Sequence, residues 1–234
     1  MVTSASSRAD AAARCGFPAA AIALLVGDIL DARRPAARLL VGVAGSPGSG
    51  KTTLAAALVA RLNEGRPGSA VVLPMDGFHL ANSTLYRLGR HDRKGAIDTF
   101  DGWGFVALLS RVRSETAHTV YAPSFRRSVD EGVAGEIAIE PEASIVIVEG
   151  NYLLADSEPW SRVRGLLDTA WFVSTPADVR EARLVDRHVR HGRTPEAALA
   201  WAREVDGVNA RLIESTRGRA DLVVSGVDGH VLSR

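Results

Sequence analysis

The sequence predicts an α/β fold, a three-layer, doubly wound parallel sheet, with an arginine-rich helical lid near the C-terminal end. Three observations predict it. Short, wholly apolar runs alternate with helical patterns along the chain, which implies parallel strands covered on both faces. A glycine-rich loop, GSPGSGKTT from Gly45, follows the first of these runs and opens a helix. Two later runs end on an acid, Asp76 and Glu149, and in such sheets ligands bind at the strands' carboxyl ends.

The elements follow in order. Ala9 to Ala32 has helical spacing and is closed by Arg33-Arg34-Pro35. Leu39 to Ala44 (LLVGVA) reads as a buried parallel strand, and Lys51 to Leu62 as the helix after the loop. Ala70 to Leu73 is a second strand, and Phe105 to Val112 a helix. Ala143 to Val148 and Ala170 to Val173 are further strands. A helix spans Pro176 to His191, another pattern spans Thr194 to Ile213, and Leu222 to Val224 is the last strand. No repeat or linker divides the 234 residues, so one domain is expected. Within it, residues 1–36 form an N-terminal helical segment, 39–53 the first strand and loop, 88–141 an insertion over a binding site, and 176–193 the lid region.

Composition narrows the function. The net charge is +1, and no basic block suggests a nucleic-acid groove. Of 28 basic residues only Lys51 and Lys94 are lysines, which marks Lys51 as a place where chemistry selects the residue and leaves Lys94 either a second such place or a stray surface residue. A single cysteine, Cys15, leaves no internal disulfide and fits a reducing compartment. The first residues lack the apolar core of a secretory signal, and Ala19 to Leu30 is too short to span a bilayer. A cytoplasmic protein is expected, with no nucleic-acid or membrane partner and with homodimerisation open.

The loop has a specific chemical reading. Gly45, Ser46, Pro47, Gly48, Ser49, Gly50, Lys51 and Thr52, with Thr53 after them, fit G-x-x-x-x-G-K-[ST] at every required position. The glycines let the backbone N–H groups curl around phosphate oxygens at a helix N-terminus. Lys51 reaches the outer phosphates of ATP, and the Thr52 hydroxyl ligates Mg²⁺. This gives the fold its nucleotide-hydrolase type, and it leaves open where the last phosphate goes. No Asn-Lys-x-Asp element for guanine is present. A kinase for a small molecule fits best, with Asp76 beside the acceptor hydroxyl and Glu149 on the metal.

Four segments in order, GSPGSGKTT, PMDGFH, RKGAIDTFD and VIVEGNYLL, resemble the phosphoribulokinase/uridine kinase family. Within it they are most similar to bacterial-type pantothenate kinases and to a branch of nucleoside or fructose-transport-associated kinases. The resemblance runs from about Leu39 to Val224. It implies ATP-dependent phosphorylation of an alcohol, with Asp76 in the place of the catalytic carboxylate. It also implies that Lys94, Asp98 and Asp101 flank the acceptor, and that Tyr121, Pro123, Phe125 and Arg126 close over it. His79, after the Asp-Gly-Phe turn, and Asn151 join the acceptor side. The turn carries Gly77 where the uridine-kinase form has Ser.

Arg180, Arg183, Arg187 and Arg190 recur at helical spacing and form one basic stripe. In a family whose lid helix brings arginines onto phosphates, Arg183 and Arg187 are the expected charge donors, and Gly192 the hinge. His188 and His191 lack a third ligand for a metal. Two rival functions remain. A nucleoside monophosphate kinase would use Arg87, Arg90, Arg93, Arg126 and Arg127 on its phosphorylated acceptor. A non-catalytic nucleotide-dependent regulator is the rival of another class.

Overall fold

The computed structural model describes residues 16–33 and 37–234. Helix α1 (Ala19–Asp31) precedes strand β1 (Leu39–Ala44), and α2 (Lys51–Gly65) and β2 (Ala70–Pro74) follow. The part of the first expected helix before residue 16, Cys15 with it, lies outside the described residues, as do Arg34 and Pro35. After β2 come a 3₁₀ turn (Met75–Phe78), α3 (Asn82–Leu88), α4 (Gly102–Ser114), and the strands β3 (Val120–Arg126), β4 (Glu131–Ile139), β5 (Ile145–Gly150) and β6 (Thr169–Ser174). The chain finishes with α5 (Ala177–Arg190), α6 (Pro195–Trp201), a π-turn (Ala202–Asp206), α7 (Gly207–Ser215), β7 (Leu222–Ser225) and β8 (Val231–Ser233).

Six strands form the main sheet in the order β2-β5-β1-β6-β7-β8, parallel except for β8. β1 is central and buried throughout, as its unbroken apolar run requires. Its alternate residues serve two cores: Leu39, Val41 and Val43 pack with α1 and α2, whereas Leu40 and Ala44 pack with α4 on the other face. The chain moves from β1 towards β2 on one side and later to β6 on the other. The strand order therefore reverses at β1, where open α/β sheets leave a ligand crevice.

The segment from Leu88 to Pro141 is more regular than its polar composition implies. Phe105, Leu109 and Val112 on α4 are fully buried, as are Val120 and Ala122 on β3 and Ile139 on β4. The rest of β3 and β4 forms a separate antiparallel hairpin. It packs directly on the turn after β2: a Cβ on Gly77 would lie 2.3 Å from the Pro123 carbonyl oxygen. Glycine instead of serine in that turn is thus a packing requirement of the hairpin. The long pattern from Thr194 to Ile213 is helical but is widened by one π-turn, which turns Asp206 towards α5.

Candidate active site

The first strand, the loop and α2 fold as the motif demands. Gly45, Gly48 and Gly50 have φ of 153°, 76° and 97°, backbone that side chains with a Cβ rarely adopt. Gly48 is doubly constrained, because a Cβ there would meet the Arg180 carbonyl of α5 at 2.8 Å. The loop is braced from outside: Ser46 donates to Glu214 at 2.6 Å, and Thr175 donates to the Ser49 carbonyl at 2.8 Å. The Ser49 hydroxyl, turned towards Gly45 and lining neither cavity, is buried without a partner. The Lys51 ammonium, which lines both cavities, makes no hydrogen bond or ion pair among the described residues.

Two acids flank Lys51. Register places Pro74 beside Glu149 and Val43 beside Glu149, so the carboxyl ends of β2, β5 and β1 converge. Burial, and then the nearby Asp76, push the Glu149 carboxyl above its ordinary value, with Lys51 opposing. Burial pulls the Lys51 ammonium down against the attraction of both acids. Thr52 donates to Glu149 at 3.3 Å. The Asp76 side chain makes no hydrogen bond or ion pair among the described residues, so its oxygens are free to accept.

Two cavities meet at this point. One, of about 390 Å³, is lined by Asp76, His79, Lys94, Asn151, Arg127 and Arg193 among others. The second, of about 490 Å³, lies over the loop and is lined by Phe17, Gly50, Thr53, Arg183 and Val227 among others. Lys51, Thr52, Arg187 and His191 line both.

The arginine stripe divides. Arg180 donates to the Thr175 carbonyl at 3.1 Å and lies 3.8 Å from Glu214. Arg183, expected to be a charge donor, bonds main-chain carbonyls instead, those of Gly48 at 3.3 Å and Gly226 at 3.1 Å; it fastens the loop to the β7–β8 connection. Arg190 pairs with Asp186, one turn back. Of the stripe, the half-buried Arg187 alone has no hydrogen bond or ion pair among the described residues. Burial, and then the charge of Arg127, draw its pKa down.

The expected acceptor residues also divide. His79 lines the first cavity, with Nδ1 2.7 Å from the Asp76 carbonyl oxygen and its ring between Phe100 and Phe125. That contact places a proton on Nδ1. Asn151 lines the same cavity, and its amide oxygen is buried without a partner. Lys94 is on the wall but engaged: it donates to Asn82 at 2.7 Å and to the Asp130 carboxylate at 2.9 Å, pinning the hairpin tip. Five residues are not in the cavity: Asp101 caps α4, accepting from the Gly104 N–H at 2.8 Å, and Pro123 packs on Gly77, and three more also stand apart. Asp98 is held by Arg93 at 2.8 Å and Arg90 at 3.4 Å, Arg126 by Glu136 on the hairpin's outer side, and Tyr121 is exposed. The neighbour of Arg126, Arg127, lines the cavity in its place. Asp206, Asn209 and Trp201 line it without any signal in the sequence short of the π-turn.

A model of the Phosphoribulokinase / Uridine kinase family matches residues 40–232. The chain belongs to that family. It is similar to a provisionally named uridine kinase of Schizosaccharomyces pombe, 37% identical over 195 residues that cover 80% of this chain and 83% of the relative. An ATP-dependent kinase-like protein of Aspergillus versicolor is 38% identical over 65% of this chain and 94% of its own length. Among solved structures, a provisionally named fructose transport system kinase from Silicibacter sp. TM1040 superposes with a TM-score of 0.80 at 41% identity, covering 86% of this chain and 98% of the other. The protein is accordingly an ATP-dependent kinase of this family, a phosphotransferase on the mostly parallel α/β fold described above. Among the described residues no helix is long and apolar enough to cross a membrane.

Proposed function

We propose that this kinase transfers the γ-phosphoryl group of Mg·ATP to a hydroxyl of a small metabolite. One observation carries the reading: two cavities share Lys51, Thr52 and Arg187, while the free carboxylate of Asp76 lines only one of them. ATP lies over the loop in the second cavity, and the acceptor lies in the first. The acceptor oxygen forms a bond to the γ-phosphorus as the bond to the β,γ-bridging oxygen breaks, and ADP leaves. The hydroxyl proton passes to Asp76. Because the transition state is loose, Asp76 contributes more by aligning the hydroxyl than by its basicity. Lys51 and Arg187 stabilise charge on the phosphoryl oxygens, and Asn151 offers its unpartnered oxygen to the acceptor.

The residues fit Mg²⁺. Thr52 and Glu149 stand hydroxyl to carboxylate at 3.3 Å, and the described residues contain no cluster of three or more His, Cys, Asp or Glu that would make an all-protein cage. A metal completed by phosphates and water needs only such a pair. When bound, Mg²⁺ neutralises charge on the β- and γ-phosphates. ADP release is the test, across nucleosides, pantothenate and sugars with a water-only control. The expected result is release that depends on one acceptor class and is lost in Asp76→Asn while ATP still binds. Release at the water rate with every acceptor, unaltered in Asp76→Asn, would point to a nucleotide-dependent regulator.

A further inference from the structure

The charges around the first cavity do not balance. Lys51, Lys94, Arg127, Arg187 and Arg193 line it, against Asp76, Asp130 and Asp206. Two of the acids are engaged inside the protein: Asp130 accepts from Lys94 at 2.9 Å, and Asp206 is 2.9 Å from His188. Lys51 and Arg187 face both cavities, so the phosphates of ATP answer them. Arg127 and Arg193 line only the first, and neither has a hydrogen bond or an ion pair to its side chain among the described residues.

Nearby arginines do find acids. Arg90 and Arg93 share Asp98, Arg126 takes Glu136, and Arg190 takes Asp186. Arg127 and Arg193 are exposed and unpaired, as Arg87 is, but unlike Arg87 they line the cavity. Arg127 stands in the hairpin turn, which is fixed by Lys94 on Asp130 and by Asn82, whose N–H donates to Glu131 at 2.9 Å. Arg193 lies flat on Trp201, its guanidinium carbon 3.9 Å from the ring centroid. Stacking fixes the plane of the fork and leaves its N–H edges to a planar or tetrahedral anion. Burial first, and then the like charge of Arg127, draw the Arg187 pKa down, and an anion between the two guanidinium groups relieves the second of these.

We infer that the acceptor is itself an anion, a hydroxylated metabolite bearing a phosphate or a carboxylate that Arg127 and Arg193 grip. This rests on the kinase reading and names the class of its acceptor. Arg193 follows Gly192, whose φ is 95°, in the link between α5 and α6.

Matched series of ribose, ribose 5-phosphate and ribonate, and of glycerol, glycerol 3-phosphate and glycerate, separate the terms. With Mg·ATP, kcat/KM for a charged member should exceed that of its neutral partner by about a hundredfold or more, given about tenfold to hundredfold for each charge-assisted contact. The phosphate and carboxylate arms tell which anion is meant. Arg127→Gln and Arg193→Gln should raise KM for the charged member far more than they lower kcat, and so erase the preference. Calorimetry of the same compounds on the protein loaded with Mg²⁺ and a non-hydrolysable ATP analogue reads the grip without turnover. Turnover that favours neutral members overturns the anionic acceptor and leaves the kinase reading. Arginine-dependent binding without turnover does the reverse. A loss of nucleotide affinity in Arg127→Gln as large as its loss of acceptor affinity also overturns the inference, because it assigns Arg127 to ATP.

Discussion

Two arginines at opposite ends of β1, one buried and one half-buried, show how this fold separates structure from chemistry. Arg38, just before the strand, is 4% exposed and saturated: it donates to the carbonyls of Ala143 and Val112 at 2.8 Å, of Glu140 at 3.0 Å and of Glu115 at 3.2 Å. Arg187 faces the other end of the sheet and donates to nothing among the described residues. Burial lowers the pKa of both. A buried guanidinium costs free energy unless it is bonded. At Arg38 the protein supplies the partners, and the result is a staple joining α4, the start of β1 and the chain before β5. At Arg187 the protein supplies none, and under the proposed function the partners come with the phosphates.

Substituting each residue breaks the comparison in opposite directions. Arg187→Ala should give the largest effect, a fall in kcat of about a hundredfold to a thousandfold, the scale for one preorganised donor. Its unfolding free energy should be unchanged or higher, because an uncompensated buried charge is gone. A variant both slow and unstable would show that Arg187 holds the fold together. Arg38→Ala should do the converse and lower stability by about 2–4 kcal/mol in urea, since four carbonyls lose one donor group. Turnover per folded molecule should persist. If kcat falls as it does for Arg187→Ala, the two ends of β1 are coupled and the separation fails.

The same contrast explains what was readable from the sequence. Lys51, Thr52, Asp76 and Glu149 could be found because a strand's end fixes where its last side chains go, and the loop motif fixes the rest. Arg187 and Arg183 share one helical stripe, yet periodicity cannot tell a side chain facing phosphates from one facing carbonyls; only the packing of α5 on Gly48 decides. In the hairpin the error is one residue. Arg126 is the last residue of β3 and pairs across to Glu136, whereas Arg127 begins the turn and leaves the alternation of the strand. Asp98 misleads because two neighbouring arginines claim it. Asp206 depends on a π-turn, for which no residue pattern in the chain gives notice.

Gly77 sharpens the comparison at the acceptor side, where the hairpin rests on the turn that carries Asp76. Gly77→Ser would set a side chain 2.3 Å from the Pro123 oxygen and 2.6 Å from its carbon, main-chain atoms that cannot swing aside. The hairpin has to lift. The expected cost is about 1–3 kcal/mol, as for overpacked sites, and KM for the acceptor should rise more than KM for ATP. Equal rises would mean that the loop has been disturbed along with the hairpin.

His79 is the smallest of these tests and the third way of settling a buried cation. Arg38 is satisfied by the protein and Arg187 by ligands, but an imidazole can shed its proton. Burial lowers the His79 pKa, with the attraction of Asp76 opposing and the charge of Lys94 assisting. The unfolded chain therefore binds more protons than the folded one just below the ordinary histidine value of about 6.5. Stability should be full above that pH and fall as the pH drops from it towards the lower folded value. Chemical denaturation from pH 7.5 to 5 should give a shallower pH slope for His79→Gln than for the unaltered protein. Equal slopes in the unaltered protein and His79→Gln would mean that the imidazole stays protonated between Phe100 and Phe125. His79 would then stand with Arg187 as a charge held for the substrate.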